Sequence, residues 1–153
     1  VDGPLIFLGG PIQGEPMWQS VATEILLTNE KVHIACPRRF PPDSNKTNAW
    51  DEQKQVDWEH FYLDNASRNG VVLFWLSKDS DLVCNRGHAR ITIFELSETA
   101  VRHLFTKTKV VVGIESGFST ERYLRTTLTK KYPSIPLCST LQDTCKEVLK
   151  LVT

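Results

Sequence analysis

The stretch Val71-Val72-Leu73-Phe74-Trp75-Leu76 is an unbroken apolar run with no alternation of polar and apolar side chains. This pattern is typical of a strand in a parallel sheet that is covered on both faces. The preceding Asn69-Gly70 marks the end of a helix. The stretch therefore predicts the central strand of an α/β fold.

Strand and helix patterns alternate five times along the chain, on both sides of this stretch. Such alternation predicts a five-stranded parallel sheet with helices on both faces. The predicted strands are residues 4–8, 32–36, 71–76, 110–114 and 134–137. The predicted helices are residues 17–28, 51–67, 92–104, 119–130 and 140–151. Thr140 is expected to cap the last helix, and the inner side of the first helix is expected to carry Trp18, Val21, Ile25 and Leu26.

Length and composition predict one domain over residues 1–153, with the 41% hydrophobic content of an ordinary globular protein. The chain has 18 basic and 18 acidic residues, so no overall positive field favours nucleic acid or a membrane surface. No apolar stretch approaches the ~20 residues that span a bilayer.

The four cysteines are widely spaced and form neither a C-x-x-C pair nor a cluster of zinc-binding spacing. We expect reduced thiols and a cytoplasmic location for the protein. The residues concerned are Cys36, Cys84, Cys138 and Cys145.

Ligands of such folds bind beyond the carboxyl ends of the strands. The turns expected at this edge are Gly9-Gly10-Pro11, Pro37-Arg38-Arg39, Ser77-Lys78-Asp79 and Glu115-Ser116-Gly117. The glycine pair permits close approach of backbone to a ligand. Arg38 and Arg39 are suited to bind a phosphate or carboxylate, although a solvated loop pair is the plainer interpretation. Neither a G-x-G-x-x-G fingerprint nor a P-loop is present.

A helix is expected to begin at the same edge of the sheet, within the stretch Arg90-Ile91-Thr92-Ile93-Phe94-Glu95-Leu96-Ser97. Glu95 would lie in its first turn, partly desolvated and near backbone donors, as suits a nucleophile. Glutamate is also common there for plain electrostatic reasons. The charged residues that crowd the loop before it, and that spacing does not rank, are Asp79, Asp81, His88 and Arg90.

Gln55 and Glu59 share a face of the predicted second helix with Tyr62, Leu63 and Ala66. The Gln55 amide suits the edge of a purine or pyrimidine. A carboxylate on a core-facing line is costly unless it is paired or lies at a cleft, so Glu59 is either a structural partner of an arginine or a site residue. Trp18 and Trp75 are candidates for stacking on a flat ring, with core filling as the alternative.

With these motifs in this order, the chain resembles the nucleoside 2-deoxyribosyltransferase-like family, in particular its short phage- and bacteria-associated branch. The resemblance covers nearly the whole chain. The matching stretches are Ile6-Phe-Leu-Gly-Gly-Pro-Ile-Gln-Gly14 with Trp18-Gln19, Cys36-Pro-Arg-Arg39, Gln55-Val-Asp-Trp-Glu59, Val72-Leu-Phe-Trp75, Ile91-Thr-Ile-Phe-Glu-Leu96 and Arg122-Tyr-Leu124.

The resemblance implies a flavodoxin-like three-layer fold and cleavage of an N-glycosidic bond by a carboxylate nucleophile, a position on which Glu95 falls. It implies a covalent glycosyl ester resolved by a second base or water, with no metal or redox cofactor. It also implies a nucleoside or nucleotide and a free nucleobase as partners, and a homo-oligomer whose subunits complete one another's sites. The residues predicted to bind substrate are Gly9, Gly10, Pro11, Trp18, Gln55, Glu59, Trp75, Asp79, Arg90 and Thr92.

Two alternatives stay open at this point. One is hydrolysis of a nucleotide or an NAD-like N-glycoside, with phosphate held by Arg38, Arg39 or the Glu115-Ser116-Gly117 turn. The other is a nucleotide-sensing domain without activity. Phe7 stands where better-studied members of the family carry a tyrosine, and Ser97 stands where they carry a glycine.

Overall fold

The computed structural model of the chain describes residues 2–12, 17–38, 49–79 and 87–153. Within these residues, strands and helices alternate in sequence. The strands are β1 (Leu5–Gly9), β2 (His33–Ala35), β3 (Gly70–Leu76), β4 (Lys109–Ile114) and β5 (Leu137–Cys138). The helices are α1 (Trp18–Leu26), α2 (Ala49–Asn69), α3 (Arg90–Thr106), α4 (Glu121–Lys131) and α5 (Leu141–Val152).

β3 is the central strand of a sheet ordered β2-β1-β3-β4-β5, in which every pairing is parallel. Residues 71–76 are buried throughout, as their unbroken apolar pattern predicts. The strand order is that of flavodoxin-like folds, in which the chain reverses its direction of winding between β1 and β3. The predicted flavodoxin-like sheet, with helices on both faces, is therefore confirmed.

Successive side chains of β3 face two different layers of helices. Leu73 and Trp75 pack with α1 and α5, whereas Phe74 and Leu76 pack with α2, α3 and α4. Burying one large apolar side chain stabilises a fold by about 1.5–3 kcal/mol. Because β3 presents such side chains on both faces, both layers contribute to holding it at the centre.

The last strand is shorter and later than residues 134–137, so that prediction is wrong for all but Leu137. Pro136 has no N–H to donate to a sheet, and its carbonyl oxygen accepts the Val112 N–H at 3.0 Å. The Ile135 N–H turns back to the Tyr132 carbonyl at 3.0 Å. Sheet pairing therefore begins only at Leu137, opposite Val112.

The inner face of α1 also differs from the prediction. Trp18 and Leu26 are buried, but Val21 is 43% exposed, and its expected place in the core is wrong. Gln19 is buried instead. Its amide Nε2 donates to the Pro11 carbonyl at 3.4 Å, which satisfies a polar group that would otherwise be costly to bury.

Helix α5 begins as predicted, because the Thr140 hydroxyl accepts the Asp143 N–H at 3.1 Å and caps the helix. Three described cysteines carry free thiols, in agreement with the predicted reduced state: Cys36, Cys138 and Cys145. Cys84 lies outside the described residues. Within the part of the chain that the structure describes, no helix has the length and apolar character needed to cross a bilayer.

Candidate active site

A cleft of about 250 Å³ opens at the carboxyl ends of β1 and β2, beside the start of α3. Its position next to the β1–β3 switch in strand order is where flavodoxin-like folds bind ligands. The described residues that line the cleft are Gly9, Gly10, Pro11, Ile12, Pro37, Glu59, Gly87, His88, Ala89, Arg90, Ile91, Thr92 and Glu95. The cleft thus brings together seven of the eleven residues that the sequence assigns to the site.

The Gly9-Gly10 turn forms one wall of the cleft, and packing from behind requires both glycines. A Cβ on Gly9 would lie 2.6 Å from the Phe74 ring, and a Cβ on Gly10 would lie 2.4 Å from the Trp18 ring. The Trp18 indole Nε1 donates to the Pro11 carbonyl at 3.1 Å. The backbone of this wall is therefore fixed from the side away from the ligand.

Trp18 and Trp75 lie behind the cleft and do not line it. Both are buried in the layer of α1 and α5, on the face of the sheet opposite to α3. Trp75 packs so closely on β4 that a Cβ on Gly113 would lie 2.5 Å from its ring. The structure places both indoles as supports of the cleft wall, and their contact with a base stays a prediction.

Glu95 lies in the second turn of α3, so its predicted place in the first turn is wrong. The helix begins at Arg90, two residues earlier than expected, because Ala89 adopts a left-handed conformation (φ 56°) and its carbonyl accepts the Ile93 N–H at 2.9 Å. No acidic residue occupies the first turn. The plain electrostatic explanation for a glutamate at a helix start does not apply to Glu95.

Glu95 is half-buried and lines the cleft. Burial, together with the nearby charges of Glu59 and Glu98, raises the pKa of Glu95 from 4.5 to about 7. Desolvation and like charge both disfavour the ionised form. The carboxylate that forms near neutral pH is therefore poorly solvated, which suits a nucleophile.

Glu59 reaches the same cleft from α2, and Gln55 fixes its position. The Gln55 amide Nε2 donates to Glu59 Oε1 at 2.7 Å and to the Pro37 carbonyl at 3.2 Å. Spacing of i, i+4 places the two side chains together on one helix face, as the sequence predicts. Gln55 itself lines the adjoining pocket and not the cleft.

The loop before α3 contributes His88, which sequence spacing alone does not distinguish from its charged neighbours. His88 lines the cleft, and its Nε2 lies 2.8 Å from the Ser77 carbonyl, which only accepts, so this nitrogen carries a proton. Its Nδ1 lies 3.6 Å from Asp79 Oδ2. Asp79 therefore reaches the site through His88, while Asp81 lies outside the described residues.

Arg90 and Thr92 lie on the α3 side of the cleft. Thr92 is buried and Arg90 is exposed. The Arg90 side chain passes so close to Gly87 that a Cβ there would meet it at 1.9 Å. Among the described residues, no group of three or more histidine, cysteine or carboxylate side chains is arranged to hold a metal ion.

The sequence model of one protein family, described as nucleoside 2-deoxyribosyltransferase like, matches residues 3–118. The matched segment runs from β1 beyond the end of β4, and it contains the glycine turn, Glu59 and Glu95. None of the curated proteins matches the chain. Because the family match covers well over half of the 153 residues, the chain belongs to the nucleoside 2-deoxyribosyltransferase-like family.

Proposed function

We propose that the protein cleaves the N-glycosidic bond of a deoxynucleoside or nucleotide and transfers the sugar to a second nucleobase, with Glu95 as the nucleophile. Membership of the family supports the reaction class. The observation that carries the role of Glu95 is its half-buried carboxyl group in the cleft, facing the Gly9-Gly10 turn across a space open to ligand.

In the first step a carboxylate oxygen of Glu95 attacks C1′ of the sugar while the C1′–N bond breaks. The departing base keeps the electron pair of that bond and takes up a proton. The product is a glycosyl ester on Glu95. A ring nitrogen of a second base then attacks C1′ and loses its proton, which restores the carboxylate. Two inversions give net retention, and water in place of the second base gives hydrolysis.

The two carboxylates of the cleft suit the charge that develops during this reaction. The sugar gains oxocarbenium character in the transition state, and a positive charge is stabilised by carboxylates held nearby. Glu59 is held by the 2.7 Å hydrogen bond from Gln55 and therefore needs little reorganisation. The mutual repulsion that raises the pKa of Glu95 is relieved when the ester or the cation forms.

The decisive experiment incubates the protein with a panel of nucleosides, their 5′-monophosphates and NAD, with and without an acceptor base, and separates released base by chromatography. Glu95→Ala and Glu95→Gln are expected to abolish release while circular dichroism shows an intact fold. Glu24→Gln, at an exposed position of α1, is the matched control and should release base at the native rate. Native turnover in either Glu95 variant would contradict the proposal. Ligand binding in calorimetry without any turnover of the native protein would favour a sensing domain.

We also propose a homo-oligomer that forms through α3. Ile91, Phe94, Val101 and Phe105 share one face of this helix at i, i+3, i+10 and i+14, and they are 72%, 74%, 46% and 81% exposed. Large apolar side chains gathered on one exposed face mark an interaction surface. The face is continuous with the cleft, since Ile91 lines both.

Light scattering on the purified protein tests this assembly. Phe105→Asp is expected to shift the mass to that of a monomer. Tyr123→Asp, which changes a 72% exposed aromatic residue on α4, serves as the matched control and should leave the mass unchanged. A monomeric native protein would contradict the proposed oligomer.

A further inference from the structure

Helix α3 begins at the cleft without the groups that usually satisfy the start of a helix. The first N–H groups of an α-helix have no partner within the helix and carry a partial positive charge. The N-cap residue of α3, Ala89, makes no capping hydrogen bond, and no acidic residue occupies the first turn. Ile91 and Thr92 line the cleft, and no residue in the described part of the chain accepts their backbone N–H groups. Two hydrogen-bond donors are therefore open to a ligand.

The Thr92 hydroxyl is a third open donor. Thr99 and Thr106 of the same helix donate their hydroxyl groups to the carbonyl one turn earlier, but Thr92 makes no such bond, and its hydroxyl has no partner among the described residues. Thr92 is only 4% exposed. Its oxygen is not sealed inside the protein, as the unpartnered hydroxyl oxygens of Ser67 and Ser77 are, so it faces the cleft. A ligand that bonds this hydroxyl removes the cost of burying it alone.

Arg90 adds a permanent positive charge to the same end of the cleft. Its side chain is exposed, and no carboxylate of the described residues forms an ion pair with it. The other ionisable side chains of the cleft, as far as the structure describes them, are Glu59, Glu95 and His88. The His88 ring is hydrogen-bonded to the Ser77 carbonyl at 2.8 Å. The two carboxyl groups repel an anion in the cleft, so its favourable place is the first turn of α3, where Arg90 and the helix dipole oppose that repulsion.

These groups precede Glu95 on α3 by three to five residues. At about 1.5 Å per residue, they lie about 4.5–7.5 Å from it along the helix axis. In the proposed transfer Glu95 attacks C1′, and the base leaves from the opposite face of that carbon. A charge on the base therefore lies on the side away from Glu95. A phosphate on C5′ lies beyond the ring oxygen and one further carbon from C1′, so it can reach the first turn of α3 while C1′ is at Glu95.

We propose that the first turn of α3 binds the 5′-phosphate of a nucleotide substrate, with Arg90 as the counter-ion and the Thr92 hydroxyl as a hydrogen-bond donor. This inference rests on the proposed transfer at Glu95. The N–H groups of Ile91 and Thr92 complete the site, because the start of a helix presents donors and a positive dipole end in the same direction. The bound phosphate then holds the sugar so that C1′ stays within reach of the nucleophile.

The other phosphate locations suggested by the sequence fit less well. In the Glu115-Ser116-Gly117 turn, the Glu121 carboxylate already accepts the Gly117 N–H at 3.0 Å. Arg38 lines the adjoining pocket and not the cleft, and Arg39 lies outside the described residues. The start of α3 lies in the cleft itself and holds no carboxylate in its first turn.

The test compares kcat/KM for a deoxynucleoside, its 5′-monophosphate and its 3′-monophosphate in the native protein, Arg90→Met and Thr92→Val. The native protein is expected to prefer the 5′-monophosphate over the nucleoside by about tenfold or more. Each variant should lose about tenfold on the 5′-monophosphate through KM, while the nucleoside changes by at most about twofold. Arg90→Lys and Thr92→Ser, which keep the charge and the hydroxyl, should recover part of the loss. Arg68→Met, at an exposed position near the end of α2 and outside the cleft, is the matched control.

Inorganic phosphate should inhibit cleavage of the 5′-monophosphate competitively in the native protein and at least about fivefold more weakly in Arg90→Met. Equal cleavage of the nucleoside and its 5′-monophosphate, a preference for the 3′-monophosphate, or equal losses on all substrates in the two variants would overturn the phosphate site and leave the glycosyl transfer intact. If no base is released from any substrate, the proposed transfer fails instead. Calorimetry with the 5′-monophosphate then decides the site by itself, since unchanged binding in both variants overturns it and binding weakened about tenfold supports it.

Discussion

Replacing Glu95 with glutamine is expected to stabilise the fold above neutral pH while it abolishes base release. Burial, with the like charges of Glu59 and Glu98, raises the pKa of Glu95 from 4.5 to about 7 in the native fold. Between these pH values the folded protein keeps a proton that the unfolded chain has lost, so the free energy of unfolding falls as the pH rises. The fall is about 3 kcal/mol at most, at ~1.36 kcal/mol for each pKa unit, and about 2 kcal/mol once partial exposure is allowed for.

Glutamine cannot ionise, so Glu95→Gln escapes this penalty. Thermal unfolding at about pH 8 should show a Tm about 4–8 °C above that of the native protein, while the difference at about pH 5 should be at most about 2 °C. Glu24→Gln, on the exposed side of α1, should show no pH-dependent difference. Equal Tm differences at both pH values, or a lower Tm of Glu95→Gln at the higher pH, would contradict a raised pKa of Glu95 in the folded protein.

Three further outcomes follow from the same contacts. The rate of base release should rise with pH through about 7 as Glu95 ionises, and Glu59→Gln should move this midpoint to lower pH because it removes a like charge; an unmoved midpoint would argue against coupling of the two groups. Gly10→Ala should lower the free energy of unfolding, measured in urea, by about 1–3 kcal/mol, because its Cβ would lie 2.4 Å from the Trp18 ring. An unchanged urea midpoint of unfolding would show instead that the residues around Gly10 shift to accommodate the methyl group. Cys145, whose pKa burial raises to about 12, should resist iodoacetamide in the native protein and react after unfolding, as read by peptide mapping; rapid native labelling would contradict its burial.

The order of the elements could be predicted from local pattern, but some of their ends could not. Residues 71–76 carry the signature of a doubly covered strand in their own side chains, and the structure buries them all. The start of β5 depends on a hydrogen bond from the Val112 N–H to the Pro136 carbonyl, and these two residues are far apart in sequence. The start of α3 depends on the left-handed backbone of Ala89, which alanine seldom adopts and no pattern signals.

Some residues of the candidate site could likewise be predicted from the sequence, and others could not. Glu95 is predicted from its place at the ligand-binding edge and from the resemblance, and the contact of Gln55 with Glu59 follows from helical spacing. Gln19 escapes prediction because its partners belong to two other loops, so its sequence context resembles any polar position of a helix. His88 is distinguished from its charged neighbours only by the fold, which brings it against Ser77 and the cleft.

The burial of Trp18 and Trp75 on one face of the sheet, with Trp58 half-exposed beside the cleft on the other, has a spectroscopic consequence. Indoles in a dry, apolar layer emit at short wavelength, and their emission shifts to the red when that layer opens. Trp58 borders a ligand-sized space and should instead change its emission when that space fills. In a background in which Trp50 is replaced by phenylalanine, three indoles remain: Trp18 and Trp75 report unfolding, and Trp58 reports occupancy of the pocket.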